Sequence, residues 1–248
     1  MALHDFKSQR LFIDAPLAPG QELDASREHA NYLLNVLRMR EGQSLLAFNG
    51  VDGEWEMTLA EVGKKKCKLV PVRQTRIQPK QGNLIYCFAP LKQARLDYML
   101  QKAVEMGAAV LQPVITQHTQ VRAINEKRIY ANAIEAAEQC GVLNIPEIRV
   151  PVRLDALDAA IGEATQLIFC DEADHQQNGL DTLSGDRDRQ RALLIGPEGG
   201  FSDGERTTLR NRENTVVLGL GPRILRADTA AVAALALIQA RLGDWYPR

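Results

Sequence analysis

Long apolar runs are missing from this 248-residue chain. Its most apolar stretch, Ala230 to Ala240, is alanine-rich and shorter than the ~18–20 residues a membrane span requires. The four cysteines (Cys67, Cys87, Cys140, Cys170) show no Cys-x-x-Cys or His/Cys spacing, which argues against disulfides and structural zinc and for a reducing cytoplasm. The four histidines (His4, His29, His118, His175) form no ligand cluster, so no metal site is expected. No GxGxxG follows a first strand, and GxxxxGK[ST], GxSxG and HExxH are all absent. Dinucleotide redox chemistry, P-loop cleavage of ATP or GTP, nucleophilic serine chemistry and zinc hydrolysis are thereby set aside. The opening residues Met1-Ala-Leu-His-Asp-Phe-Lys lack a secretory pattern.

The chain also has little net charge, −1, which argues against avid nucleic-acid binding, but its charges are unevenly distributed. Between Lys64 and Lys102, Lys and Arg occur at positions 64, 65, 66, 68, 73, 76, 80, 92, 95 and 102, against the single acid Asp97. Such a concentration is what a phosphate backbone exploits, although a charge run can equally be a solvated face. Composition is otherwise that of a soluble globular protein: 45% apolar, 25% charged, mean hydropathy −0.22. The length allows one large domain or two small ones.

The most informative feature is a pair of glycine-rich turns, each after a buried apolar strand. The first is Leu193-Leu194-Ile195-Gly196-Pro197-Glu198-Gly199-Gly200. The second is Val216-Val217-Leu218-Gly219-Leu220-Gly221-Pro222-Arg223-Ile224-Leu225-Arg226. Both run from strand into turn and on toward a helix, where open parallel sheets bind ligands. Glycines there let backbone approach a ligand closely. The residues alone reach a nucleotide-like cofactor in an α/β domain, and an enzyme.

The pattern divides the chain at about residue 75. Residues 1–75 read as a small β-rich module, with strands at 10–14, 44–49, 54–62 and 67–73 and one helix at 28–38 capped by Ser26. A polar linker is expected over 74–83. Strands and helices then alternate through 76–248, the rhythm of a parallel sheet covered by helices. Ser202 and Glu205 have capping-box spacing. The last helix, Thr229 to Leu242, is apolar on nearly every face, as a helix buried all round would be.

The two late loops closely resemble the signature loops of the ribosomal RNA small subunit methyltransferase E family. Lys92 to Gly107 resembles that family's first catalytic-domain helix; Glu135 to Gly141 with Ile145 to Ile148 resembles its central helix and following strand. Arg38-Met-Arg-Glu-Gly42 resembles its PUA-like domain. The resemblance covers essentially the whole chain. It implies an α/β fold: a SPOUT-type, trefoil-knotted parallel-sheet domain (76–248) preceded by a small β-rich PUA-like RNA-binding domain (1–75). It further implies a homodimer and S-adenosyl-L-methionine held between the two turns and a third strand-end loop near Phe169 to Glu172. The implied reaction is methylation of N3 of one uridine in 16S rRNA of the small ribosomal subunit, in the cytoplasm.

On that basis the expected cofactor-binding residues are Ile195, Gly196, Pro197, Gly199, Gly200, Leu218, Gly219, Gly221, Arg223, Ile224, Leu225 and Thr229. Leu218, Ile224 and Leu225 would line the adenine side. Uracil N3 carries a proton and is poorly nucleophilic, so a base and a cation beside the carbonyl oxygens are the expected assistants. Arg226 is expected to contact the target base or its phosphate. Asp228 serves as base or as the N-cap of the last helix, and Glu198 either orients a ligand or favours its helix N-terminus. Many relatives carry Thr-Glu where this chain has Ala227-Asp228, and many place a basic or polar residue after Gly141 where it has Val142. Arg38, Arg40, Lys64, Lys65 and Lys66 are candidates for RNA phosphate contacts. Two other readings stay open: a SPOUT methyltransferase acting on another RNA position such as a ribose 2′-hydroxyl, and a catalytically inactive RNA-binding assembly factor.

Overall fold

A computed structural model describes residues 8–121, 123–172 and 179–245, so His4 and His175 lie outside the described residues. The chain divides into two compact units. One holds the residues up to 80 together with 137–144; the other holds 81–136 and 145 onward.

The first unit is built on a five-stranded sheet of order β1-β3-β4-β5-β2, with β1 Arg10–Phe12, β2 Leu23–Asp24, β3 Ser44–Phe48, β4 Glu54–Ala60 and β5 Lys68–Arg76. β1 and β3 run parallel and the other pairs antiparallel. Period-two alternation along β4 puts Trp55, Met57 and Leu59 into a core with Leu33, Leu45 and Leu69. Helix α1, Arg27–Asn31, starts at Ser26, whose hydroxyl accepts the His29 N–H at 3.1 Å. It does not continue as α-helix to residue 38. Tyr32–Val36 form a π-turn, with Leu37 N–H bonded to Tyr32 O, and Arg38 ends it at φ +56°. The extra residue per turn keeps Leu33 fully buried while Val36 stays exposed.

The segment read as a linker begins as strand: Gln74 and Arg76 pair with Trp55 and Glu54. Side chains explain it. Buried Glu54 accepts from Arg76 Nη2 at 2.6 Å, Arg10 Nε at 3.1 Å and Thr75 Oγ1 at 2.9 Å. Burial opposes its ionisation, but Arg76, Thr75 and Arg10 outweigh it and hold the carboxyl below its ordinary range.

The second unit carries a parallel sheet of order β12-β10-β11-β6-β7-β8, with the short β9 pairing to β7. Its strands are β6 Leu84–Phe88, β7 Val110–Ile115, β8 Glu147–Ile148, β9 Val152–Arg153, β10 Gln166–Phe169, β11 Arg191–Ile195 and β12 Thr215–Val217. β6 and β11 are buried at every position, as a sheet covered on both faces demands. The helices are α2 Gln93–Glu105, α3 Glu126–Cys140, α4 Leu157–Ile161, α5 Gly179–Thr182, α6 Asp203–Asn211 and α7 Ala227–Leu242. Leu96, Met99 and Leu100 of α2 and Leu235 and Ile238 of α7 share one core with Tyr86, Phe88 and Leu193. Leu157 and Ile161 of α4 and Leu209 of α6 share another with Ile85, Cys87 and Leu194. The Ser202–Glu205 capping box forms as expected. Helix α7 is not buried all round in the single chain. Ala231, Ala234, Leu235 and Ile238 are buried, whereas Val232, Ala233, Ala236 and Leu237 are only half-buried. Among the described residues no helix is long and apolar enough to cross a membrane, and no His/Cys/Asp/Glu group could hold a metal ion.

Candidate functional site

Strands β12, β10 and β11 are adjacent and parallel, so the loops leaving their C-terminal ends emerge at one edge of the sheet. Three such loops (170–172, 196–200 and 218–226) together with the first turn of α7 enclose a pocket.

From the β11 loop, Ile195, Gly196, Pro197, Glu198 and Gly200 line it. The loop folds into a turn closed by Gly200 N–H to Pro197 O at 2.9 Å. Its glycines are also demanded by packing within the protein. A Cβ on Gly196 would lie 2.5 Å from Cε2 of Phe201, whose ring packs edge-on against Phe169 at 5.0 Å. Gly200 sits at φ +67°, and a Cβ there would collide with Glu172 Oε1. Gly199 does not line the pocket; a Cβ on it would stand 3.1 Å from that of His118. Glu198 is exposed and pairs with Arg95 at 3.2 Å.

From the β10 loop come Cys170, Asp171 and Glu172. The Asp171 carboxylate is wholly buried and bonded to Arg206 at 3.0 Å and Arg210 at 2.6 Å, both on α6. Glu172 accepts from Arg206 at 2.7 Å. Burial pushes the Cys170 thiol far above its ordinary range, so the pocket wall carries a neutral thiol.

The β12 loop is more open. Leu218 is fully buried and its N–H reaches Phe169 O at 2.9 Å, yet Ile224 is 87% exposed. Gly221 adopts φ +90° with no atom within 4 Å of where a Cβ would be. Arg223 and Arg226 line the pocket, are exposed, and make no ion pair among the described residues. Helix α7 starts at Ala227, two residues earlier than expected, with Arg226 as its N-cap residue. Asp228 is therefore not the cap. It lies in the first turn, where its Oδ1 accepts the N–H of Thr229 at 2.9 Å. Of the expected site residues, Leu218, Gly221, Arg223, Ile224, Leu225 and Arg226 line the pocket along this loop; Gly219, Asp228 and Thr229 do not. Leu220, Ala227 and Ala230 complete the wall without having been foreseen. Their alanine and leucine side chains carry no chemical signal in sequence.

The positively charged run is partly neutralised. Lys68 pairs with Glu61, Arg73 with Glu56, Arg76 with Glu54, Arg95 with Glu198 and Lys102 with Glu105. Lys64, Lys65 and Lys66, on the hairpin loop between β4 and β5, are exposed and make no ion pair among the described residues. Lys65 shares a surface hollow with Arg27, Asn31 and Asn35 of the α1 region. Arg38 and Arg40 are likewise exposed, beyond the π-turn.

Residues 78–239 match the RNA methyltransferase domain family, and residues 26–72 match the RNA methyltransferase PUA domain. The chain belongs to the ribosomal RNA small subunit methyltransferase E family. It is 29% identical to the Rickettsia conorii ribosomal RNA small subunit methyltransferase E, over 94% of this chain and 96% of that one. The Neisseria gonorrhoeae ribosomal RNA small subunit methyltransferase E, solved bound to S-adenosyl methionine, matches with a TM-score of 0.85 at 26% identity, covering 96% of this chain and 100% of that one. A Legionella pneumophila structure with its cofactor SAM bound matches with a TM-score of 0.79 at 32% identity, covering 94% of this chain and 98% of the other. A parallel-sheet α/β methyltransferase domain following an N-terminal PUA domain is thus the fold of this chain.

Proposed function

We propose that this chain transfers the methyl group of S-adenosyl-L-methionine to N3 of a uridine in 16S rRNA of the small ribosomal subunit, as a cytoplasmic homodimer. The observation that carries the reading is the three-loop pocket, whose lining joins apolar side chains to two guanidinium groups, Arg223 and Arg226, that make no ion pair among the described residues. The lining fits the cofactor. Leu218, Leu220 and Leu225 offer an apolar side for adenine, and the Glu172 and Glu198 carboxylates offer negative charge for an amine or a sulfonium. When bound, the cofactor supplies a methyl group on a positively charged sulfur.

The chain's own residues then have two tasks. They align N3 with that methyl, worth ~7–11 kcal/mol in a well-oriented site, and they stabilise the negative charge that spreads to O2 and O4 as N3 loses its proton. Arg226 takes the second task, because it is exposed at the pocket and its guanidinium makes no ion pair among the described residues. Asp228, in the first turn of α7, and Glu198, held by Arg95, are the carboxylates available to accept or steer the proton. Residues 1–75 serve as the RNA-binding domain, through Lys64, Lys65, Lys66, Arg38 and Arg40. Residues 76–248 form the catalytic domain, whose knot belongs to the same reading. The half-buried Val232, Ala233, Ala236 and Leu237 of α7 are where a second subunit would complete the burial.

The test is incubation with tritiated S-adenosyl-L-methionine and 30S subunits from cells lacking the endogenous activity, followed by nucleoside mass analysis. Label as 3-methyluridine in 16S rRNA is the expected result. Label on a ribose or in another RNA would discard the N3 assignment. Cofactor binding without label on intact particles would point to an assembly factor instead.

A further inference from the structure

The turn that follows β7 is constructed to hold one side chain in place. Thr116 and Thr119 are both buried and tie it shut: Thr116 N–H donates to Thr119 Oγ1 at 2.9 Å, the two hydroxyls are 2.9 Å apart, and Thr119 N–H reaches Thr116 O at 3.2 Å. Next to them, Gln117 N–H donates to Glu205 Oε1 at 2.7 Å. The other oxygen of that carboxylate accepts the N–H of Ser202 at 2.9 Å and its hydroxyl at 3.1 Å. One capping-box glutamate therefore fastens the turn to the N-cap of α6, Ser202, two residues beyond Gly200.

His118 stands between these anchors. Its Nδ1 lies 3.0 Å from Gly199 O and 3.3 Å from Gly200 O. Carbonyl oxygens only accept, so in this contact Nδ1 carries a proton and donates. The approach is possible because Gly199 has no side chain, given the 3.1 Å separation a Cβ would have from that of His118. Gly200, whose carbonyl shares the bond, lines the pocket.

We propose that His118 is a positioning residue for the cofactor: by donating from Nδ1 to the Gly199 and Gly200 carbonyls, it fixes the two peptides that close the Pro197–Gly200 turn against the pocket. The assignment rests on the reading of this loop as a cofactor loop. It distinguishes the two nitrogens of the ring, which a chance surface contact would not. Asparagine places its amide nitrogen where Nδ1 is; glutamine places its own where Nε2 is.

Isothermal titration of the purified full chain with S-adenosyl-L-methionine, for wild type and for H118A, H118N and H118Q, decides the matter. Loss of one hydrogen bond predicts binding about five- to tenfold weaker in H118A and H118Q. H118N is expected within about twofold of wild type, since the donor returns to the same position. Turnover at saturating cofactor should stay unchanged in all three, which separates positioning from chemistry. Wild-type affinity in H118A, or H118N no better than H118Q, would overturn the role of His118. Should H118A fail to fold, the Asn–Gln pair decides alone. Failure of the wild type itself to bind would instead bring down the cofactor reading, and this assignment with it.

Discussion

The two glycine-bearing loops that face each other across the pocket look alike in sequence and are made differently. In the β11 loop every glycine is hemmed in by protein: Gly196 by Phe201, Gly199 by His118, Gly200 by Glu172. In the β12 loop, Gly221 turns the chain through φ +90° in open space, and Ile224, Arg223 and Arg226 project beside it with little covering them. One loop is pre-organised by the fold. The other is held by few contacts of its own. Absence of a side chain thus has two physical meanings, room for a neighbour and freedom of the backbone.

Substitutions that respect this difference should separate stability from activity. The largest effect is expected for Arg226→Ala in the open loop: turnover down about 10²–10³-fold, the scale of losing one charge-stabilising donor. Thermal midpoint should hold, because the guanidinium makes no ion pair among the described residues. A collapse of cofactor affinity instead of turnover would move Arg226 from the base to the cofactor. Next comes Gly196→Ala in the packed loop. A methyl 2.5 Å from the Phe201 ring is overpacking, worth about 1–3 kcal/mol. A chain of this size loses roughly 2–4 °C of melting temperature per kcal/mol, and calorimetry would read it. An unchanged midpoint would show that the Phe201–Phe169 pair yields, and that the β11 loop is less rigid than its packing implies. Gly221→Ala should cost less, about 1–2 kcal/mol from the left-handed backbone alone, since no neighbour is struck. If it costs more than Gly196→Ala, the contrast between the loops is wrong.

Much of the fold was readable because its signals are local. The buried runs of β6 and β11, the Ser202–Glu205 box and the strand-to-turn rhythm each depend on residues close in sequence. What escaped depends on partners far away. Strand β5 continues through Gln74–Arg76 because Glu54, some twenty residues earlier, needs the Arg76 guanidinium. The positive run loses much of its surplus to acids outside it, such as Glu198 for Arg95. The candidate site followed the same rule. Loops named by glycine spacing came together at the strand ends, but Gly199 and Gly219 fell outside the lining, and a lone histidine eighty residues away touches the loop. No local pattern marks His118, because its meaning comes only from the carbonyls it meets.

The smallest effect on the free protein, and the sharpest on the comparison, belongs to Ile224→Ser. With the side chain 87% exposed, its removal uncovers no core, so unfolding free energy should change by no more than about 0.5 kcal/mol. An isoleucine this bare beside a pocket is expected to be covered in the working state, where full burial is worth about 1.5–3 kcal/mol. Titration with S-adenosyl-L-methionine and sedimentation of the variant would locate the cover. Weaker cofactor binding, about tenfold with an unchanged melting temperature, assigns Ile224 to the adenine side. A dissociated assembly with unchanged affinity assigns it to the second subunit. Loss of neither, with weaker use of 30S particles, assigns it to the RNA. If all three hold at wild-type values, the open loop is completed by its backbone and arginines alone, and the contrast with the packed loop reduces to charge.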